Sequence, residues 1–184
     1  MLAKFGGLCA IGALLSMSAF ASPITISYDL SQISGNNYLY VYSIYNNGSL
    51  GANVPIQLFD IFFDPTLYLE SSLAIVTPNP TASQWTEYIF GSVAGTPADF
   101  DVSTNPGNPG IGVGSTVSGF AVQFTWLGTG TPGSQPFSIT DPSNFTQPLQ
   151  AGTTTPEPCT FWGVGLLLAY GARRMRKRSI RSAA

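Results

Sequence analysis

Histidine is absent from this 184-residue sequence, and no lysine or arginine occurs between Lys4 and Arg173. The two cysteines, Cys9 and Cys159, stand near the ends, so the middle of the chain has none. These absences exclude chemistry. Ser-His-Asp, Cys-His and lysine-based nucleophiles are unavailable to the central region, and so is a zinc site built on His or Cys. No disulfide can staple it. Asp29, Asp60, Asp64, Glu70, Glu87, Asp99, Asp101 and Asp141 carry all the charge of residues 22–155, a net −8 concealed by the whole-chain value of −2. A field of that sign repels phosphates and excludes nucleic acid as a partner.

The cations sit at the two ends. Lys4 precedes a short apolar stretch, Phe5–Met17, which leads to Ala19-Phe20-Ala21. A positive start, an apolar middle and an A-x-A site predict a signal peptide over residues 1–21, cut after Ala21. Near the other end Pro156-Glu157-Pro158 comes first, then the apolar run Cys159–Ala172, then Arg173, Arg174, Arg176, Lys177 and Arg178. Lys and Arg beside an apolar segment stay on the cytoplasmic side, so the Pro-Glu-Pro end is expected outside. The run holds Phe161, Trp162, Leu166, Leu167 and Leu168 as its membrane-anchoring side chains. As a helix it reaches about 21 Å at 1.5 Å per residue, against a hydrocarbon core of about 30 Å. It is therefore a marginal span, suited to an anchor held briefly. Pro156 and Pro158 fix φ and disfavour helix before them, which keeps the chain extended just outside the membrane.

Between these ends the periodicity is two. Phe120, Val122, Phe124 and Trp126 alternate with Ala121, Gln123 and Thr125, as a half-buried strand requires. Tyr38–Tyr45 is a second strand, ended by Asn46-Asn47-Gly48, a turn signal. Residues 24–30, 56–63, 67–76, 85–93 and 137–140 are further strands, with turns at Asp64-Pro65, Thr77-Pro78-Asn79-Pro80 and Asp141-Pro142. Many short strands without a helical pattern predict an all-β, antiparallel β-sandwich, immunoglobulin-like or jelly-roll-like. The expected organisation is a signal peptide (1–21), the sandwich (22–146), a flexible stalk (147–155), a sorting segment with a short transmembrane helix (156–178) and a cytoplasmic tail (179–184).

Chemistry in the sandwich has two sources. Carboxylates are one. Asp60 and Asp64 lie four apart, and Asp99 and Asp101 share a face at strand spacing. Either pair can serve a glycosidase or stand as solvated loop acids. Calcium takes oxygen ligands alone, so Asp99 and Asp101, with the Asn105–Gly110 loop after them, are the candidate metal ligands. Aromatics are the other source. Tyr38, Tyr40 and Tyr42 share a strand face, and Trp85 and Trp126 lie elsewhere. Exposed rings stack on sugars; buried rings fill sandwich interiors.

Pro156-Glu157-Pro158, the short apolar run and the arginine-rich end together resemble the sorting signal of PEP-CTERM proteins. The Gly119-Phe120…Phe124-Thr125-Trp126-Leu127-Gly128 stretch resembles the bodies that carry this signal. The resemblance implies export across the inner membrane of a Gram-negative bacterium, processing by an exosortase-type membrane enzyme, and a place at the cell surface or in the exopolysaccharide of a biofilm matrix. It implies no enzymatic activity. The expected function is thus a non-catalytic, exported envelope or matrix protein. A carbohydrate-binding or calcium-dependent adhesion module is the alternative.

Overall fold

Alternation of apolar and polar side chains builds the strands. In Thr116–Thr125 (β7), Phe120, Val122 and Phe124 point inward; in Ala98–Thr104 (β6), Ala98, Phe100 and Val102 do so. The other main strands are Thr25–Ser34 (β1), Asn37–Tyr45 (β2), Leu58–Phe63 (β3), Trp85–Phe90 (β5), Pro136–Asp141 (β8) and Asn144–Thr153 (β9). Two-residue strands lie at Ala74–Ile75 (β4) and Thr155–Pro156 (β10), and one helical turn at Thr81–Gln84 (α1). The computed structural model describes residues 23–157. The expected signal peptide with its Ala19 and Ala21, Pro158, the apolar run 159–172, the basic cluster 173–178 and the tail 179–184 lie outside the described residues. Among the described residues no helix is long and apolar enough to cross a membrane.

The strands form two five-stranded sheets, in the orders β10-β1-β2-β7-β4 and β5-β6-β3-β8-β9. Their inner faces share one core of aromatic and β-branched residues. Rings from the first sheet meet rings from the second: Phe120 stands edge-on to Phe59 at 5.1 Å, and Tyr42 lies 6.5 Å from Phe100.

Three expectations change. The sheets are not wholly antiparallel, because β10 runs parallel to β1, with Thr155 opposite Ser27. Residues 147–155 are not a free stalk. Most of them are the outer strand β9, which pairs along β8 from Pro136↔Thr153 to Asp141↔Asn144. Pro148 is tolerated there because β9 is an edge strand with a register shift beside it. Residues 67–76 are not one strand. A 3₁₀ turn at Glu70–Ser72 interrupts them and leaves only β4 in the sheet.

Buried polar groups close both ends of the core. Gln135, 1% exposed, spends its whole side-chain amide. Its Oε1 accepts from the Tyr42 hydroxyl at 3.3 Å and the Thr154 hydroxyl at 3.0 Å. Its Nε2 donates to the Tyr68 hydroxyl at 2.9 Å and to the Gly133 carbonyl. The Tyr40 hydroxyl also donates to Gly133, at 2.7 Å. Burial holds the Tyr40 and Tyr42 hydroxyls far above the ordinary phenol range, so they stay neutral donors. At the other end buried Asn46 donates to the carbonyls of Val54 and Ile111, at 3.0 and 2.8 Å, and accepts from the Gly48 N–H at 3.0 Å.

Gln135→Ala orphans several of these buried groups at once. It is expected to lower unfolding stability by about 2–4 kcal/mol in urea titrations, against about 1 kcal/mol for Tyr68→Phe. Gly110 supplies a second test. Its φ is +88° and a Cβ there would run into the Ile56 carbonyl, whereas Gly107, at φ +91°, faces open space. Gly110→Ala is expected to cost about 2–4 kcal/mol and Gly107→Ala about 1–2 kcal/mol.

Candidate functional site

The outer face of the β5-β6-β3-β8-β9 sheet carries the chemistry. Its edge strand β5 is held at both ends. At its start the Thr86 hydroxyl donates to Asn105 Oδ1 at 2.5 Å, and Asn108 Nδ2 donates to the Gln84 carbonyl at 2.9 Å. Beyond its end the Glu70 carboxylate accepts from the Ser92 N–H at 3.1 Å and the Ser92 hydroxyl at 2.5 Å. From the inner face of the strand, Glu87 takes a hydrogen bond from the Thr77 hydroxyl at 2.6 Å. Thr77 Oγ1 in turn accepts from the Ala121 N–H of β7 at 2.9 Å. Burial raises the affinity of Glu87 for its proton, and the Thr77 bond partly offsets this.

With Trp85 turned inward, strand parity turns Tyr88 and Phe90 outward. They are 55% and 53% exposed, and their ring centroids lie 5.9 Å apart at 39°. Register sets rows across the face, and two of them carry the acids. In the first, Tyr88 stands opposite Asp101, Asp101 opposite Asp60, and Asp60 opposite Ser138. In the second, Phe90 stands opposite Asp99 and Asp99 opposite Phe62. Same-face rows repeat about every 7 Å along a strand. Past the second row lies a pocket of about 460 Å³, lined by Phe62, Asp64, Pro65, Ser92, Val93, Gly95, Thr96, Pro97 and Pro136.

Asp60 and Asp101 are hydrogen-bonded to each other across the strand pair. Two carboxylates in such contact share one proton. Partial burial, then the negative charge of Asp60, the hydrogen bond to it and the charge of Asp99, raise Asp101 to about 7. The shared proton belongs to the pair. Burial also raises Asp60, with hydrogen bonds from Ser138, at 2.8 Å, and from Asp101 pulling the other way. Asp99 is raised by burial and by Asp60, while backbone N–H groups of Phe90 and Asp99 donate to its carboxylate and pull the other way.

Other expected site residues are used differently. Asp60 and Asp64 are not a pair: β3 stops at Phe63, and Asp64 caps a turn by accepting from the Thr66 N–H and hydroxyl at 2.8 and 2.7 Å. Asp99 and Asp101 do share a face. In the loop that follows, Asn105 Oδ1 accepts from the Thr86 hydroxyl and Asn108 Oδ1 from the Gly110 N–H at 3.0 Å. Among the described residues no cluster of three or more His, Cys, Asp or Glu is arranged to hold a metal. Tyr40, Tyr42, Trp85 and Trp126 are core, and half-buried Tyr38 stacks on Phe124 at 5.9 Å. Of the sorting motif, Pro156 pairs with Tyr28, and Glu157 donates its N–H to the Tyr28 carbonyl at 2.9 Å and accepts from the Ser27 hydroxyl at 3.2 Å. Tyr88 and Phe90 were not singled out from sequence. The signal was present in the parity of the strand starting at Trp85.

The acid pair predicts a pH dependence. An unfolded aspartate titrates near 4, and native Asp101 at about 7. Between those values the native state holds the extra proton, so unfolding stability falls as pH rises through the window. Asp64 and Asp141, lowered by bonds from Thr66 and Ser143, act in the opposite sense and only at more acid pH. Asp101→Asn keeps a donor for Asp60 and removes the titration. Urea titrations are expected to show the variant more stable than wild type above neutrality by about 1–2 kcal/mol, a figure reduced for solvent screening. Its stability should also change less between mildly acid and mildly alkaline pH.

No family model matches the chain, and no curated protein matches it. Several solved structures are similar to it at low identity. An uncharacterized protein from Nocardia farcinica, described as having an immunoglobulin-like fold, is 18% identical with a TM-score of 0.48, over 73% of this chain and 99% of that one. A chitin-binding domain from Streptomyces coelicolor is 13% identical with a TM-score of 0.39, over 65% and 93%. A cohesin module of a family 33 glycoside hydrolase from Clostridium perfringens is 11% identical with a TM-score of 0.41, over 73% and 98%. At these identities and TM-scores no residue role passes from them to this chain.

Proposed function

We propose that the chain is an exported, non-catalytic protein of the cell envelope or extracellular matrix that holds saccharide on the outer face of its second sheet. The single observation behind saccharide binding is the ring pair Tyr88 and Phe90, half exposed on an edge strand clamped at both ends. A solvent-facing ring pair costs free energy unless something covers it. Ring faces stack on the C–H faces of pyranose sugars, and the neighbouring Asp60, Asp99 and Asp101 are acceptors for sugar hydroxyls. A fixed strand spends little entropy on binding.

The acid pair supports binding rather than hydrolysis. Retaining glycosidases hold their carboxyls about 5–5.5 Å apart and inverting ones further, whereas Asp60 and Asp101 hydrogen-bond directly. Export rests on the charge segregation: Lys4 before one apolar stretch, Arg173–Arg178 after the other, and no cation between. An exosortase-type enzyme would then process the tail at or after Pro156-Glu157-Pro158, with exopolysaccharide as the partner outside.

A glycan array with the full chain tests the face. Saturable binding is expected, and Tyr88→Ala/Phe90→Ala should weaken it about 10–100-fold, as loss of two stacking rings implies, with the thermal midpoint little changed. Full binding by the double variant would remove the proposal. Mass spectrometry of the mature protein from its host tests export. An N-terminus at Ser22 and loss of Arg173–Arg178 are expected; a C-terminus that retains those residues would indicate a plain anchor.

A further inference from the structure

We infer that the pocket at the end of this face seats one N-acylated sugar unit of a neutral polysaccharide. Its acyl methyl lies against Phe62, Pro65, Val93, Pro97 and Pro136, its amide N–H meets Asp64, and neighbouring units of the polymer stack on Tyr88 and Phe90. This rests on the saccharide-binding face proposed above and names the class of sugar it takes.

The pocket and the ring pair are one continuous surface. Phe62 ends the row in which Phe90 stands opposite Asp99 and Asp99 opposite Phe62, and it is also a wall of the pocket. Ser92 and Val93, which follow Phe90 along the chain, form another part of that wall. A polymer laid along β5 over Tyr88 and Phe90 therefore runs into the pocket. The volume of about 460 Å³ falls within the range of small-molecule sites, about 300–1,000 Å³, which is room for a whole substituted ring. The walls select by what they lack. Five of the nine lining residues, Phe62, Pro65, Val93, Pro97 and Pro136, bring only C–H surface. Polar groups among the others are spent within the protein. Ser92 gives both its N–H and its hydroxyl to Glu70. Val93 and Thr96 exchange backbone hydrogen bonds across their hairpin, at 3.1 and 2.8 Å. Asp64 Oδ1 serves the Thr66 N–H and hydroxyl. A sugar unit bearing hydroxyls alone would lose hydrogen bonds to water against such walls, which costs free energy, whereas a methyl group gains by leaving water. Asp64 stays ionised, since the bonds from Thr66 lower its pKa, and its second oxygen is an acceptor for one N–H. An acylamino group supplies both halves, a methyl and an N–H; a deoxy methyl or an O-acyl group supplies no donor. Residues 23–157 contain no lysine, arginine or histidine, so a uronate or sulfate would meet no side-chain counter-ion, and the polymer is neutral.

The test is isothermal titration of the full chain in lipid nanodiscs, free of the detergent that would compete for an apolar pocket. Three probes of equal length and linkage differ in one group: oligomers of glucose, N-formylglucosamine and N-acetylglucosamine. The formyl group keeps the amide and lacks the methyl. The acetylated oligomer should bind about fourfold more tightly than the formylated one, as one buried methyl implies, and the formylated one more tightly than the glucose oligomer. Thr96→Trp, which fills the pocket from an exposed hairpin position, and Val93→Asp, which charges its wall, should each remove the preference for acetyl over formyl and leave glucose binding in place. Asp64→Asn keeps Oδ1 for Thr66 and sets an amide donor where the second carboxylate oxygen stood; it should weaken both amide-bearing oligomers relative to glucose. Tyr88→Ala/Phe90→Ala should weaken all three probes. Ring-dependent binding in which the glucose oligomer equals or exceeds the acetylated one would overturn the pocket's assignment and leave the saccharide face standing. So would equal binding of the acetylated and formylated oligomers, or a preference for acetyl that survives both Thr96→Trp and Val93→Asp. Binding of the acetylated oligomer that ignores Tyr88 and Phe90, or ring-dependent binding of none of the three, would overturn the inference together with the saccharide face.

Discussion

Between residues 23 and 157 no side chain bears a positive charge, so the sandwich cannot be held by side-chain ion pairs, and with no cysteine there it cannot be held by disulfides. Cohesion falls to ring packing between two sheets and to hydrogen bonds that leave few buried groups unpaired. Phe59 lies at 5.1 Å from Phe120, Tyr68 at 5.0 Å from Phe63, and Trp85 at 5.3 Å from Phe120. Each ring buries a large apolar area and meets its neighbour edge-on or offset, the arrangements that aromatic quadrupoles favour. The tyrosines bring hydroxyls into that interior, and a buried hydroxyl without a partner is costly. Gln135 and Thr154 answer this constraint at one end of the core, as Asn46 does for backbone groups at the other.

The same shortage of cations shapes the outer face. Asp60, Asp99 and Asp101 must coexist on adjacent strands without a counter-ion, and they do so by taking up a proton. This links the stability of the sheet to pH and leaves a surface that offers acceptors to whatever approaches. Beside it, Tyr88 and Phe90 face water on a strand secured by Glu70, Asn105 and Thr77. Fixed rings next to an acidic row without a counter-ion are what separate this face from the opposite sheet, whose outer positions include Ser27, Asp29, Ser43 and Gln123.

Much of the architecture was legible as period-two alternation. The strands around Tyr40, Phe59, Trp85, Phe120 and Phe137 follow it closely, because one buried face repeats every second residue. Two strands escaped for different reasons. In β6 the alternation of Ala98, Phe100 and Val102 is present, but the intervening Asp99 and Asp101, which share a face at strand spacing, read equally well as solvated loop acids. In β9, Asn144–Thr153 is polar, contains Pro148 and ends near Gly152, so its composition matches a linker. Its strand character comes from pairing with β8, not from its own side chains. Trp85 and Trp126 read equally well as a sugar platform or as core, since a ring's composition does not say which way it faces.

The amino-acid sequence alone determined the all-β class, the exclusion of His-, Cys- and Lys-based chemistry, and the confinement of positive charge to the two ends. These follow from composition and from a two-residue period, both local properties of a chain. Which carboxylates meet was decided only by the tertiary structure. Asp60 faces Asp101 because β3 and β6, some forty residues apart, pair in one particular register. A slip of one residue would turn every side chain of the strand to the other face. The same parity, set by Trp85 entering the core, exposed Tyr88 and Phe90, and no property of those two residues taken alone contains it.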